Sequence, residues 1–146
     1  MSQSRRETKL RAMGTLTQTF HKEHEELLDG VEHIRLAARE MPVLSPVERD
    51  VVRKRIVDFL RGTLVPHSLL EEHDLYPRVA EILGSGDATA PMVYDHLAIR
   101  ERIADLADAD SGDLARLQEL LYGLHALIRV HFHKEEELYL PLVDEG

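Results

Sequence analysis

The sequence has no cysteine and no tryptophan, and only three phenylalanines and four tyrosines. Without cysteine, disulfides, thiolate zinc sites, iron–sulfur clusters and cysteine nucleophiles are excluded. Positive charge is scarce: 18 lysines and arginines face 27 aspartates and glutamates, for a formal net charge of −9. That balance argues against a general DNA- or RNA-binding surface, whose affinity rests on neutralising phosphates. No stretch approaches the roughly 20 apolar residues needed to cross a bilayer. Nor does an apolar stretch of secretory-signal kind follow the basic N-terminus with Arg5, Arg6, Lys9 and Arg11. The expectation is a cytoplasmic protein with no nucleic-acid or membrane partner. Strand signals are poor too, because β-branched residues never alternate with polar ones over a useful length.

What the chain does have is helix punctuation and nine histidines. Residues 1–14 read as a polar, basic tail or a weak contact for an acidic partner, and 15–146 as a single domain. Met41-Pro42 stops a first segment. Ser45-Pro46-Val47-Glu48 starts a second, with an N-cap serine, a proline at the first helical position and a glutamate that closes a capping box. Tyr76-Pro77 interrupts that segment, and Gly84 to Asp87 ends it. Pro91 opens a third. Asp108 to Asp113 separates it from a fourth, which ends near Leu140-Pro141. Each segment carries apolar residues in steps of three and four. The series are Leu16, Phe20, Leu27, Val31, Ile34; Val52, Ile56, Leu60, Leu70; Met92, Ile99, Ile103, Leu106; and Leu117, Leu121, Leu124, Ile128, Leu138. Long segments with short connections predict an all-α, antiparallel up-down four-helix bundle. Gly62 and Pro66 predict a weak point in the second helix.

The gaps in those stripes are polar. His24 falls between Phe20 and Leu27, His96 between Met92 and Ile99, His67 after Leu60, and His131 after Ile128. Two helices add a glutamate one turn on, Glu71 and Glu135, on the face of the preceding histidine. A single histidine on an apolar face is usually a hydrogen-bonded core residue. Six polar groups in one bundle core need more, since an uncompensated buried carboxylate costs several kcal/mol or neutralises. A bound cation compensates them. Imidazole plus carboxylate without sulfur suits iron, manganese or zinc. Six ligands exceed one tetrahedral zinc site and fit two metals about 3.5 Å apart.

An internal repeat supports two metals. His67 and His131 are each followed by Glu-Glu four residues on, then Leu-Tyr, then proline, while Glu23-His24 is echoed by Asp95-His96. The chain reads as two halves related by a pseudo-two-fold, each giving His and then His-x-x-x-Glu.

The order His24, His67-x-x-x-Glu71, His96, His131-x-x-x-Glu135 resembles the hemerythrin-like, or HHE cation-binding, domain family across residues 15–141. The resemblance implies a hemerythrin-like bundle with two non-haem iron ions joined by an oxo or hydroxo bridge, manganese or zinc being second choices. Glu71 and Glu135 would bridge the irons, with His24, His67, His96 and His131 as terminal ligands. The ferritin-like class fits worse, because its motif is Glu-x-x-His. Oxygen-carrying relatives place a second histidine four residues along the third helix. Here that residue is Arg100, which cannot ligate metal and is expected to pair with an acid such as Glu72, the alternative being to steer an anionic ligand.

The resemblance thus points to a protein that binds or reacts with dioxygen, nitric oxide or peroxide, linked to oxidative or nitrosative stress or iron handling, with a redox partner protein unspecified. An iron-dependent sensor or iron-binding module without turnover is the alternative, and a metal-free acidic interaction bundle is a third. Of the other histidines, His21 is a candidate fifth ligand, His125 is expected to pack and hydrogen-bond, and His33, His73 and His133 to be solvated. Glu72 and Glu136 are candidates for holding imidazole N–H groups, or an exposed acidic face. Tyr76 and Tyr139 are expected to pack at helix ends.

Overall fold

The computed structural model describes residues 2–145, with the side chains of residues 3–8 and 16–144. Among them there is no strand, and four long helical segments form a bundle. The first is α1 (Ser2–Glu40), closed by a 3-10 turn at Met41–Val43. It includes the backbone of residues 2–14, read from sequence as a tail; the side chains of Lys9 and Arg11 lie outside the described residues. The second segment runs through α2 (Pro46–Phe59), α3 (Val65–Leu70) and α4 (Tyr76–Leu83). The third is α5 (Ala90–Asp108), and the fourth is α6 (Leu114–Lys134) with α7 (Leu140–Glu145). α6 packs against both α1 and α5, and α2 packs against α5 and α1. None of the helices is long and apolar enough to cross a membrane.

Local chemistry sets the boundaries. Ser45 Oγ accepts from Glu48 N at 3.2 Å while Glu48 Oε1 accepts from Ser45 N at 3.1 Å, the capping box read from sequence. Gly84 ends α4 at φ 70°, a left-handed conformation that favours glycine. Asp113 caps α6 by accepting from Arg116 N at 3.1 Å.

The second and fourth segments are continuous helical paths joined by π-helical turns at Leu60–Leu64, Glu71–Leu75 and Glu135–Tyr139. In each, an N–H bonds the carbonyl five residues back: Val65 to Leu60, Tyr76 to Glu71, Leu140 to Glu135. Each turn begins six residues before a proline, at Pro66, Pro77 and Pro141. Proline lacks an N–H and its ring clashes with the carbonyl four residues earlier; opening one extra residue relieves the clash without breaking the helix. The weak point expected near Gly62 and Pro66 takes this form.

The extra residues also shift the stripe. Leu70 and Leu138, expected in the core, are exposed at 37 % and 60 %, while Leu75 and Leu140 are buried. A strict three-four periodicity cannot anticipate that, because a π-turn advances the register by one residue.

Two apolar clusters result. The larger includes Leu27, Val31, Ile34, Leu60, Leu64, Ile99, Leu121 and Ile128, and the smaller Phe20, Leu75, Tyr76, Val79, Met92, Leu140 and Val143. On α1 and α5 the polar gaps fall between them: Phe20, His24, Leu27; and Met92, His96, Ile99. The bundle therefore sandwiches one polar layer between two apolar ones.

Candidate metal centre

All six residues singled out by the stripe gaps meet in that layer. His24, His96 and His131 are 1 % exposed, His67 is 5 % exposed, and Glu71 and Glu135 are fully buried. They form two groups, His24, His67, Glu71 and Glu135, and Glu71, His96, His131 and Glu135, with the donor atoms of each group within 4.8 Å of one another. The two carboxylates belong to both groups.

The outward nitrogens of the four rings face four other carboxylates, three of them in hydrogen bonds and the fourth, His96 with Glu72, at ion-pair distance without one. His67 Nδ1 lies 2.6 Å from Glu23 Oε2, His96 Nδ1 3.2 Å from Glu72 Oε2, His131 Nδ1 2.9 Å from Asp95 Oδ2, and His24 Nδ1 2.6 Å from Glu136 Oε1. Each acid is the chain neighbour of a central residue. Glu23 precedes His24, Glu72 follows Glu71, Asp95 precedes His96, and Glu136 follows Glu135. Each segment thus holds the histidine of the next, and the circuit closes from the fourth back to α1. An ionised carboxylate only accepts, so Nδ1 carries the donated proton and Nε2 is turned to the centre.

Glu72 and Glu136 were legible as candidates for this task; Glu23 and Asp95 were missed. The available signal was an acid immediately before a stripe histidine, in both α1 and α5. Three of the four acids have a further partner: Lys134 at 2.5 Å from Asp95, Arg100 at 3.8 Å from Glu72, and His21 at 2.5 Å from Glu136. Arg100 therefore makes the expected pair with Glu72. His21 faces Glu136 and Asp144 at the surface instead of the centre. Burial resists the Asp95 charge, but Lys134 and His131 outweigh it and hold its pKa below the usual carboxylate range.

At the centre, polar groups crowd together. His96 Nε2 and His131 Nε2 are 3.0 Å apart. Three inward atoms, His67 Nε2, Glu71 Oε1 and Glu135 Oε1, are buried without a hydrogen-bond partner. Burial raises the Glu71 pKa well above its ordinary value, with the Glu135 carboxylate adding to the effect. Burial also resists ionisation of Glu135, but hydrogen bonds from Glu71, His131 and His24 outweigh it and hold its pKa well below. For His24, burial opposes charge, yet Glu135 and Glu71 raise its pKa to about 9. His96 falls to about 4 through burial and the neighbouring His131. A metal ion bound at these groups competes with protons for the same lone pairs. Orphaned lone pairs, nitrogen and carboxylate oxygen donors and a sulfur-free set fit a metal of the iron, manganese or zinc kind.

One further residue enters the layer. Tyr76, 2 % exposed, donates its hydroxyl to Glu135 Oε2 at 2.9 Å, with its oxygen 3.1 Å from His96 Nε2 and 3.4 Å from His131 Nε2. Burial, with Glu71 and Glu135 adding to it, pushes the phenol pKa far above its ordinary value, so it stays a donor. Tyr139 instead donates to the Ala88 carbonyl at 3.1 Å, away from the centre. The expectation that both tyrosines pack at helix ends is thus corrected for Tyr76. The repeat aligned the two tyrosines, but Tyr76 stands five residues after Glu71 and Tyr139 four after Glu135.

The remaining histidines stay outside. His33, His73 and His133 are exposed. His125 is buried, but its Nε2 has no hydrogen bond and lies 3.6 Å from Glu32.

No curated protein and no solved structure gives a significant match to the chain. Over residues 15–143 it matches the Hemerythrin HHE cation binding domain. That match spans nearly the whole bundle and contains every residue of the polar layer, and the chain belongs to the hemerythrin HHE cation-binding family.

Proposed function

We propose that this chain is a non-haem di-iron protein that binds or reacts with a small oxidant: dioxygen, nitric oxide or peroxide. The observation that carries the reading is the pair of buried His₂Glu₂ groups sharing both glutamates. In this reading His24 and His67 would hold one metal and His96 and His131 the other, with Glu71 and Glu135 shared by both. The helices then form an antiparallel bundle with a pseudo-two-fold relation between the halves, each half holding mainly one metal. Iron bound there supplies Lewis acidity and a pair of redox centres.

The chain's own residues do the rest. Glu23, Asp95 and Glu136 fix the rings of His67, His131 and His24 by hydrogen bonds at Nδ1 and keep Nε2 for the metal, while Glu72 faces His96 at 3.2 Å. Phe132 stacks on His24 at 4.6 Å and Phe20 sets its edge against His67 at 5.7 Å, excluding water from that side. A surface cavity of about 350 Å³, lined by Leu27, Phe59, Thr63 and Pro66, has Glu23 and His67 in its wall.

Metal analysis of gently purified protein tests the reading. Two irons per chain are expected, with near-ultraviolet charge-transfer bands from a bridged ferric pair. A folded protein that takes up no iron overturns it. Peroxide consumption and nitric oxide binding on the same sample then separate turnover from sensing: iron uptake with neither response leaves only an iron-binding module.

A further inference from the structure

The polar layer is built from a repeat, yet its two ends differ in one side chain. Five residues after Glu71 stands Tyr76, and five after Glu135 stands Leu140. Both are buried, and both follow a π-turn placed by a proline six residues beyond the glutamate. At the His96–His131 end this register delivers a hydroxyl that holds Glu135 Oε2 at 2.9 Å. The two nitrogens there have already converged to 3.0 Å. Two nitrogens each about 2.1 Å from one ion, and at a right angle to each other, stand about 3 Å apart. Little rearrangement separates that end from a metal-binding geometry.

For the His24–His67 end the repeat offers no matching tyrosine, since Leu140 stands in its register position. The histidine–carboxylate approaches there are slightly longer than at the other end, where His96 Nε2 lies 3.3 Å from Glu71 and His131 Nε2 3.1 Å from Glu135. His24 Nε2 lies 3.4 Å from Glu71 and 3.4 Å from Glu135, and His67 Nε2 lies 3.4 Å from Glu71. Groups held in their binding geometry before the ion arrives lose less freedom on binding it.

We infer that Tyr76 makes the two metal positions unequal: by holding Glu135 beside His96 and His131 it gives that position the higher affinity, so that it fills first. The inference rests on the two-metal reading above. Tyr76 acts through Glu135 and is a positioning residue.

Anaerobic titration of the metal-free, full-length protein with cobalt(II), followed by visible absorption and calorimetry, tests it. Two separate steps are expected, totalling two ions per chain. Tyr76→Phe weakens the tighter step by roughly 10–100-fold, the cost typical of removing an outer partner of a ligand, and leaves the weaker step in place. Tyr139→Phe changes neither step. His96→Gln removes the tight step and His24→Gln the weak one; this pair decides the order of filling even if Tyr76→Phe loses its helical signal. Two equal steps, a Tyr76→Phe protein with both steps unmoved or both weakened alike, or loss of the tight step in His24→Gln overturns the inference. A wild-type total below two ions overturns the two-metal reading instead.

Discussion

Two neighbouring layers of this bundle use the same four segments and are equally buried. In the apolar layer, Leu27, Leu64, Ile99 and Ile128 belong to one buried cluster that closes the core with aliphatic contacts. In the polar layer, His24, His67, Glu71, His96, His131 and Glu135 meet with inward atoms that find no partner. Dispersion and the hydrophobic effect are non-directional, so any well-shaped set of aliphatic side chains completes the first layer. Lone pairs are directional and carry charge, so the second is complete only with a cation between them. One layer supplies stability, while the other holds polar atoms whose burial the stable layers make possible.

The sharpest way to separate the layers is to remove a shared carboxylate. Glu71→Ala or Glu135→Ala abolishes metal uptake in elemental analysis, whereas the exposed His33→Ala and His73→Ala leave it intact; equal losses in all four would erase the distinction. The converse change is Leu121→Ala in the apolar layer, where the side chain is fully buried. It costs about 2–5 kcal/mol in denaturant unfolding, the usual range for such a cavity, with the metal stoichiometry unchanged. Smaller effects come from the carboxylate circuit. Asp95→Asn weakens metal binding by about 10–100-fold in competition with a chelator, because it loosens His131 and leaves Lys134 without its partner.

The smallest effect lies at the bundle surface. Lys54, Arg53 and Ser111 lower the Asp50 pKa from 3.8 to about 2. A depressed carboxylate contributes stability that is present above pH 3.8 and lost as pH falls through about 2. Asp50→Asn removes that dependence from the acid limb of a pH-stability curve of the metal-free protein. A curve unchanged between wild type and variant would show that the ion pairs contribute nothing.

Much of this was written in the chain. The six central residues were legible because a polar side chain in an apolar stripe is conspicuous, and because four such gaps, one per segment, coincide only if they share a layer. Ser45 with Glu48 and Gly84 were legible because caps act within a few residues. Glu23 and Asp95 were not, since an acid beside a histidine is common and only packing shows that it serves a different helix. Leu70 and Leu138 were misplaced because periodicity presumes a uniform helix.

The sequence by itself determined the segments and the six residues of the polar layer, which follow from local spacing and side-chain chemistry. Tertiary structure decided who holds whom: Glu23 reaches His67 across 44 positions and Glu136 reaches His24 across 112. It also decided that Tyr76, and not Tyr139, enters the layer. Both outcomes depend on how helices turned by three π-segments face one another, and a linear pattern carries no information about that rotation.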